Sequence, residues 1–371
     1  MSDLTIVGAG PAGAATALGA LHAAPGLDVR LVDRSSFPRD KACGDGVAPH
    51  VLDLLESVGV HGLLDDRVPV TRLHLRRGAR SVEREMERPA YVVPRRVLDA
   101  RLVEAAVAAG AQLVQRRVRT LADVDDVAVV VGADGAHSVV RRALGQPAGR
   151  RALALRGYGP TPAEHRGVQR IVFGHEHQPS YAWSFDRGDG LANIGYGEVL
   201  HDDRAPTRRE LLARLDVLLP GAAEAGVDWM GHHLPLSSHR WHPADGRVLL
   251  VGDAAGLVNP LTGEGIFYAV ATGIAAGRAA AAAVAAGDPR SAGRRHRAAT
   301  RPLLSWHLRH TAAAARLTRS GRVLDAGLRA SARDQRVFDD LVELGLARGR
   351  VTPRLAAGLA RSLVTAPPKE K

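Results

Sequence analysis

A glycine-rich turn near the start of the chain restricts the fold more than any other feature of the sequence. Residues 4–7 form a short apolar run, residues 14–24 have an alanine-rich helical pattern, and residues 29–32 form a second apolar run that ends at Asp33. Between the first run and the helix stand three glycines in the spacing G-x-G-x-x-G, namely Gly8, Gly10 and Gly13. Strand, turn, helix and strand in this order predict a βαβ unit.

Each position of the turn meets a physical demand of dinucleotide binding. Gly8 allows the sharp turn out of the strand, Gly10 lets backbone approach a pyrophosphate, and Gly13 lets the helix pack closely. The helix begins at Pro11. The free N–H groups of its first turn, from Ala12 onward, and the positive end of the helix dipole favour phosphate binding. A glycine-rich turn that arose by chance is the less favoured interpretation, because the whole structural context is present.

The acidic residue that such a motif needs is also in place. Asp33 follows Gly13 by 20 residues and ends the second predicted strand, with Arg34 next to it. A carboxylate at that point can accept hydrogen bonds from the ribose of an adenosine.

Two further turns follow apolar strands later in the chain. The segment Gly-Ala-Asp-Gly-Ala-His-Ser at 132–138 carries Asp134 and Gly135, and the segment Gly-Asp-Ala-Ala-Gly at 252–256 carries Gly252 and Asp253. With these three motifs in this order, roughly residues 1–285 resemble the superfamily that joins flavin-dependent aromatic hydroxylases, the group A monooxygenases, to geranylgeranyl reductases. The resemblance implies an FAD cofactor, with Asp253 on its ribityl chain and Asp134 near its pyrophosphate.

Several segments resemble the geranylgeranyl reductase branch. Residues 37–46, Phe-Pro-Arg-Asp-Lys-Ala-Cys-Gly-Asp-Gly, are similar to its segment beside the flavin ring, and residues 260–266, Pro-Leu-Thr-Gly-Glu-Gly-Ile, to its loop beneath the flavin. Arg95, four residues before Asp99, matches an arginine that contacts FAD. Gly256 stands where aromatic hydroxylases often carry histidine. The cofactor residues that the resemblance implies here are Lys41, Cys43, Gly44, Asp45, Arg95, Gly263, Gly265 and Ile266.

A run of alternating aromatic residues supplies the candidate substrate site. Tyr181, Trp183 and Phe185 match the branch's substrate motif, and Asp186 replaces its proline. The spacing puts the three rings on one face of a strand. Spacing alone favours core packing, whereas the resemblance favours a substrate cavity and implies that Tyr181 and Trp183 lie in it.

Cys43 is the only cysteine of the chain. No intramolecular disulfide can form, which favours a reducing cytoplasm. Beside the flavin, Cys43 has three interpretations that the sequence leaves open: a redox or proton-handling group, a residue that shapes the pocket, or a small buried residue without chemical consequence.

The pattern of elements predicts an α/β protein: a Rossmann-like FAD-binding fold with an inserted, mostly antiparallel β-sheet substrate domain and a C-terminal helical region. Predicted strands at 71–77 and 81–87 form a hairpin through Gly78, and others lie at 168–173, 181–185 and 191–196. Helices are predicted at 97–109 and from residue 291 onward, and the tail 366–371 is predicted to fray. The predicted domains are FAD-binding (1–70, 91–150 and 243–290), substrate-binding (71–90 and 151–242) and helical (291–371).

The net charge of +11 raises the question of whether the chain binds nucleic acid or a membrane surface. Aromatic residues make up only 4% of the chain, so we favour a solvated basic surface over nucleic-acid binding. The most apolar stretch, 274–286, is interrupted by Arg278 and is shorter than a membrane span, and residues 1–7 leave no room for a signal peptide. These features predict a cytoplasmic enzyme without a transmembrane segment.

Metal binding is not predicted. Histidines occur at 175, 177, 232 and 233, but their spacing fits no compact zinc pattern. We expect surface or pocket histidines.

No second glycine-rich nucleotide motif follows the first, so NAD(P)H would visit the flavin transiently. Either the reduced flavin saturates a prenyl chain, or it reacts with O2 and oxygenates the substrate. Polar residues in the predicted substrate layer suit a small aromatic or polyunsaturated metabolite, including an anionic one, better than a prenyl chain, which needs a long apolar tunnel. We therefore favour a monooxygenase of such a metabolite. The polar residues are Arg166, Gln169, Arg170, His175, His177, Asp186 and Arg187. The alternatives are a geranylgeranyl-reductase-like reductase, which the motifs favour, and a flavin-binding protein without its own turnover. The substrate, the choice between NADH and NADPH, and the oligomeric state stay open.

Overall fold

The computed structural model of the chain describes residues 2–124, 126–175, 178–200 and 205–364. Within these ranges the strands form two sheets. In chain order the strands are β1 Ser2–Val7, β2 Val29–Asp33, β3 Gly46–Val47, β4 Val70–Arg77, β5 Arg80–Val92, β6 Gln112–Gln115, β7 Val127–Gly132, β8 Arg151–Pro160, β9 Val168–Phe173, β10 Ser180–Asp186, β11 Leu191–Val199, β12 Val227–Pro235 and β13 Val248–Leu250.

Helices pack on both sheets. In chain order the α-helices are α1 Pro11–Ala23, α2 Pro49–Glu56, α3 Arg95–Ala108, α4 Val139–Ala143, α5 Arg208–Leu218, α6 Ala222–Ala225, α7 Ile266–Ala285, α8 Ala292–Leu317, α9 Gly321–Arg333, α10 Gln335–Leu346 and α11 Pro353–Val364.

The first sheet is parallel and has the strand order β13-β7-β1-β2-β6. Its central strands are apolar and buried, as expected where helices cover both faces of a parallel sheet. β1 pairs with β2 on one side and with β7 on the other. This sheet with α1, α3 and α7 confirms the predicted Rossmann-like fold.

The second sheet has the order β12-β8-β11-β10-β9-β4-β5-β3, and its strand pairs are antiparallel apart from β4–β9. The predicted hairpin is present, although β5 runs on to Val92. β8 and β12 are strands that were not predicted from the sequence. β3 pairs with β5, so Gly46 and Val47, predicted within the FAD-binding domain, lie in the second sheet.

The C-terminal helices rest on the second sheet. Leu328 of α9 and Phe338 of α10 share a buried cluster with Val82 and Met86 of β5. Arg84 donates hydrogen bonds to the carbonyl oxygens of Ser331 and Ala332 at 2.8 and 2.7 Å. The predicted helical region is therefore confirmed as a cover over the sheet, and the predicted frayed tail lies outside the described residues.

α7 is long and apolar enough to cross a membrane, yet 83% of its most apolar 18-residue window is buried within the protein. Its small side chains pack face to face with those of α1. This is the arrangement of a core helix, which agrees with the buried helix expected for residues 274–286.

Replacing Phe338 tests the contact between the helices and the sheet. Phe338 is 0% exposed, so Phe338→Ala is expected to lower the free energy of unfolding by ~3–5 kcal/mol through loss of apolar contacts. Urea unfolding followed by tryptophan fluorescence measures this change. Val217→Ala is the control, since Val217 is 79% exposed and its loss is expected to change stability by less than ~0.5 kcal/mol. Equal stability of the two variants would contradict the packing of α10 on β5.

Candidate functional site

One continuous cavity of about 990 Å³ runs from the carboxyl edge of the parallel sheet, under the second sheet, to the C-terminal helices. It is lined at one end by Asp33, in the middle by Gly10 and Cys43, and at the far end by Leu328 and Leu359. An elongated cavity at this edge is where open parallel sheets bind nucleotides.

Three turns meet at the near end because β1, β7 and β13 are neighbours in the sheet. A Cβ atom on Gly8, whose φ is +101°, would lie 2.4 Å from the carbonyl oxygen of Ala133. The guanidinium of Arg141 donates to the carbonyl oxygens of Ala136 at 2.7 Å and Ala254 at 3.3 Å. The first turn therefore packs on the second, and Arg141 ties the second to the third.

The first turn of α1 forms a cradle for anionic groups. A Cβ atom on Gly10 would lie 3.3 Å from Nη2 of Arg39 and 3.7 Å from Nη2 of Arg95. The helix begins at the next residue, so the N–H groups of its first turn point out of the helix toward the cavity. Two guanidinium groups and a helix N-terminus suit a pyrophosphate at this point.

Arg95 is held by a buried carboxylate. Its Nε and Nη2 atoms donate to Asp99 at 2.6 and 2.8 Å, and Nη1 of Arg39 lies 3.2 Å from the same carboxylate. Burial opposes the positive charge of Arg95, but the charge and hydrogen bonds of Asp99 outweigh it and raise the pKa of Arg95. The guanidinium stays charged and fixed.

The end of β2 offers room for an adenosine. Asp33 lines the cavity and accepts hydrogen bonds from the backbone N–H groups of Ala9 and Ser35, each at 2.8 Å. Arg34 and Arg116 line the same end. A carboxylate can accept more than two hydrogen bonds, so Asp33 retains acceptor capacity for a ribose.

The two other predicted acidic residues differ in what they contact. The Asp134 carboxylate accepts from the hydroxyl of Ser138 at 2.5 Å and from the N–H of Val139 at 2.6 Å, so it caps α4. Asp253 lies 3.1 Å from Nζ of Lys41. Burial opposes ionisation of Asp253, but Lys41 and His232 outweigh it and hold its pKa below the usual range.

Asn193 connects the aromatic strand β10 to the segment around Cys43. Its Oδ1 accepts from Nε1 of Trp183 at 2.8 Å, and its Nδ2 donates to the carbonyl oxygen of Cys43 and to Asp45, both at 2.8 Å. The hydroxyl of Tyr158 also donates to Asp45, at 2.7 Å. The segment that carries Cys43, Gly44 and Asp45 is thus fixed against the second sheet.

The thiol of Cys43 lines the cavity. Burial raises its pKa to about 11, although the charge of Arg95 acts in the opposite direction. Cys43 is therefore a neutral thiol at pH 7 rather than a thiolate nucleophile.

The three aromatic side chains of β10 line the cavity side by side. Ring centroids are 5.9 Å apart for Tyr181 and Trp183, and 6.3 Å apart for Trp183 and Phe185. The hydroxyl of Tyr181 donates to the carbonyl oxygen of Thr262, which joins the strand to the loop that carries Gly263, Glu264 and Gly265. Asp186 points elsewhere, because it accepts from Thr161 and from the N–H of Gly167.

The far end of the cavity is apolar, and this corrects the expectation of a polar substrate layer. The apolar lining residues of the second sheet are Leu73, Leu75, Met86, Ile171 and Phe173, and those of the helices are Leu324, Leu328, Leu355 and Leu359. We call these nine residues the apolar arm.

Strand alternation explains the correction. Gln169, Ile171 and Phe173 of β9 line the cavity, so Arg170 faces the opposite side of the sheet. Of the polar residues expected in the substrate layer, Gln169 lines the cavity, whereas Arg166, Arg170, His175, Asp186 and Arg187 are not part of its wall; His177 lies outside the described residues.

The histidines do not converge. His232 lies 3.9 Å from Asp253, the ring of His233 packs on that of His137, and His175 lies near Gly78. Across the described ranges, no group of three or more His, Cys, Asp or Glu side chains is placed to hold a metal ion.

Several residues of the cavity wall were missed in the sequence. Arg39 lies inside the segment 37–46 and Glu264 between two predicted glycines, so their neighbours were a signal for both. Tyr158 and Asn193, which are not part of the wall but bind Asp45 within it, lie on strands with no motif. The leucines of the C-terminal helices recur at helical spacing, which signalled an apolar face but not what it covers.

Comparisons with known proteins fit this geometry. The FAD binding domain family matches residues 1–178. The menaquinone reductase of Mycolicibacterium smegmatis is 33% identical over 314 residues, which cover 73% of this chain and 74% of that protein. The digeranylgeranylglycerophospholipid reductase 1 of Methanopyrus kandleri is 32% identical over 318 residues, 77% of this chain and 82% of that protein.

Solved structures share the fold. A geranylgeranyl bacteriochlorophyll reductase-like protein of Thermoplasma acidophilum superposes with a TM-score of 0.72 at 19% identity, covering 99% of this chain and 96% of its own. A probable FAD-dependent monooxygenase of Pseudomonas aeruginosa superposes with a TM-score of 0.62 at 22% identity, covering 85% and 100%. Together with the phosphate cradle and the place of Asp33 in the cavity wall, the family match identifies the cofactor as FAD.

Filling the cradle is expected to expel the cofactor. In Gly10→Glu a side chain and a negative charge occupy the place of the phosphates, so flavin retained per protein is expected to fall about tenfold or more. The absorbance of bound flavin relative to protein measures this ratio. Gly26→Ala is the matched control, because a Cβ on Gly26 meets no atom within 4 Å. Full flavin content in Gly10→Glu would contradict the placement of the cofactor phosphates in this cradle.

Proposed function

We propose that this chain, which belongs to the superfamily of FAD-dependent geranylgeranyl reductases and group A flavin monooxygenases, reduces carbon–carbon double bonds in the isoprenoid chain of a lipid. The chain is an FAD-dependent oxidoreductase, and the finer assignment rests on the apolar arm. A small anionic substrate would leave these nine apolar side chains without a partner.

The position and polarity of the arm support a long apolar substrate. The arm is continuous with the part of the cavity lined by Cys43, Trp183 and Glu264. Each methylene group that leaves water for such a wall stabilises binding by ~0.8 kcal/mol. An isoprenoid chain can therefore bind along the arm while one of its double bonds lies beside the predicted flavin ring.

The related proteins support the same substrate class. Both curated relatives are named as reductases, and the name of the Methanopyrus kandleri protein specifies a geranylgeranyl lipid. The monooxygenase among the structural neighbours is less than 25% identical and supports the fold alone.

Reduction of a double bond adds one hydride and one proton. The hydride would come from bound FAD that NAD(P)H has reduced. The residues of this chain bind and orient the substrate, exclude water from the arm, and provide the proton.

We infer that Glu264 provides that proton. Its carboxyl group lines the cavity and accepts a hydrogen bond from the N–H of Phe267 at 2.8 Å, at the start of α7. Burial raises its pKa to about 7, against the backbone hydrogen bonds that lower it. Cys43, with a pKa of about 11, is a weaker acid, and a proton donor works best with a pKa near the working pH.

The reaction is tested by anaerobic reoxidation. Holoenzyme reduced in the absence of oxygen is mixed with a geranylgeranyl lipid in detergent, and the return of oxidised flavin absorbance is followed together with the saturated product. We expect reoxidation that depends on lipid concentration. Reoxidation only after oxygen is admitted, with an oxygenated product, would assign the monooxygenase reaction instead.

A plug in the arm gives a matched pair of variants for this assay. Gly327 of α9 lines the arm, and a Cβ atom there would meet only Leu359 Cδ2, at 3.8 Å. Gly327→Phe is expected to lower the reoxidation rate at limiting lipid by about tenfold, since two displaced methylene groups are worth ~1.6 kcal/mol. Ala332→Phe, on an exposed position of the same helix, is expected to match the wild type. Equal rates in both variants would place the lipid elsewhere.

The proton donor predicts a pH dependence. Glu264 donates only when protonated, so the anaerobic rate is expected to fall about tenfold per pH unit above the donor pKa of about 7. Glu264→Gln is expected to lower the rate about a hundredfold and to remove this descending limb. Asp45→Asn is the comparison, since burial raises the pKa of Asp45 to about 6. A limb near pH 7 that survives in Glu264→Gln and vanishes in Asp45→Asn would move the donor to Asp45.

A further inference from the structure

The positive charge of the chain is concentrated in its C-terminal part. Residues 292–371 contain 17 basic and 6 acidic residues, a net charge of +11 that equals the net charge of the whole chain. The preceding 291 residues are therefore neutral overall. This differs from the scattered basic surface that composition alone suggested.

Acidic side chains of this part are engaged in contacts of their own. Asp325 pairs with Arg77 of β4 at 2.8 Å, and Glu343 lies 3.2 Å from Nε2 of His50. Asp340 is paired with Arg354 at 2.9 Å. Much of the negative charge is thus directed at the sheet or within the helices, which leaves an excess of exposed arginines.

The apolar cavity reaches the surface within this basic region. Leu317, at the end of α8, lines the cavity and is 57% exposed. Thr318, Val323 and Val351 line the cavity close by. Exposed arginines stand next to these four residues in the chain, at Arg316, Arg319, Arg322 and Arg350.

Exposed apolar side chains accompany the arginines. Trp306 is 52% exposed and precedes Leu317 by 11 residues, which is about three helical turns and places both on one face of α8. The guanidinium of Arg309 lies 5.2 Å from the Trp306 ring centroid. At the end of α11, Leu363 and Val364 are also exposed. Tryptophan, leucine and arginine on one helical surface are typical of helices that lie at a membrane interface.

We propose that the C-terminal helices dock on the surface of an anionic lipid bilayer, with the opening at Leu317 facing the membrane. The arginines beside the opening bind lipid phosphates, while Trp306 and Leu317 enter the boundary of the acyl chains. Resting on the proposed function, this gives an isoprenoid lipid a path from the bilayer into the apolar arm without crossing water.

The combination of positive charge and exposed apolar side chains favours a lipid bilayer over nucleic acid as the partner of this surface. A nucleic-acid site gains most of its affinity from phosphate contacts and uses exposed aromatic rings to stack bases. Here aliphatic side chains surround the opening, and the cavity behind it is lined by leucines. Aliphatic groups gain nothing from a polynucleotide but are stabilised in acyl chains.

Docking is tested with the full-length holoenzyme and vesicles, in the absence of substrate. We expect co-sedimentation with vesicles of equal parts phosphatidylglycerol and phosphatidylcholine, and little with phosphatidylcholine alone. The triple variant Arg316→Glu, Arg322→Glu, Arg350→Glu is expected to bind at least about a hundredfold more weakly. The control variant Arg208→Glu, Arg209→Glu, Arg240→Glu changes the net charge equally at exposed positions outside the C-terminal helices, and is expected to bind like the wild type.

Two results would overturn the proposal. One is equal loss of vesicle binding in both triple variants, which would mean that net charge rather than this surface attracts the lipid. The other is wild-type binding to a polyanion such as heparin that exceeds vesicle binding, with no blue shift of tryptophan fluorescence on vesicles. The expected blue shift is absent from Trp306→Phe if Trp306 enters the bilayer.

The same variants separate docking from catalysis. With geranylgeranyl lipid dissolved in detergent, the Arg316, Arg322 and Arg350 triple variant is expected to be reoxidised at the wild-type rate; with lipid in vesicles, it is expected to be slower. Vesicle binding without any reoxidation by lipid would sustain the docking surface and refute the proposed reaction. Reoxidation by lipid without vesicle binding would refute the docking surface alone.

Discussion

The adjacency of β1, β7 and β13 in the parallel sheet is the constraint on which the rest of the molecule depends. It brings three turns from distant parts of the chain to one edge, where Gly8 packs on Ala133 and Arg141 holds the second and third turns together. Close backbone packing leaves a cradle whose polar groups are N–H groups and guanidinium groups rather than carbonyl oxygens. A phosphate-bearing cofactor fits there because the fold itself creates an anion site.

Polarity changes along the cavity because different parts of the fold build its two ends. Strand ends and helix N-termini, which carry unpaired backbone groups, surround the near end. The far end lies between the face of an antiparallel sheet and a layer of helices, and both present side chains rather than backbone. Under the proposed function, the cofactor would bind where charge is stabilised and the lipid chain would bind against apolar side chains.

The sequence predicted the parts of the molecule that local patterns determine. The βαβ unit, the Asp-Gly and Gly-Asp turns and the C-terminal helices each depend on periodicity and turn chemistry over short stretches, and each is present. The sequence did not predict which residues face the cavity, because the packing of the sheet in the tertiary structure determines this. Gln169 and Arg170 are neighbours in sequence, yet only Gln169 lines the cavity. Asp134 lines the cavity, as its motif led us to expect, but the motif did not indicate that its carboxylate also caps α4. The apolar arm stayed hidden because four of its nine residues come from helices that lie more than 150 residues further along the chain than the sheet residues they face.

Asn193 shows how the cofactor side and the substrate side of the cavity become one rigid wall. Its side-chain amide binds Trp183 of β10 through the oxygen, and Cys43 and Asp45 through the nitrogen. It is fully buried, so these bonds compete with no bulk water. Hydride transfer requires donor and acceptor atoms to be held near contact distance, and small misplacements reduce its rate steeply. A buried amide that binds both β10 and the segment around Cys43 holds these two parts of the protein at a fixed separation, which the proposed reaction needs; contacts within either part alone would not do so.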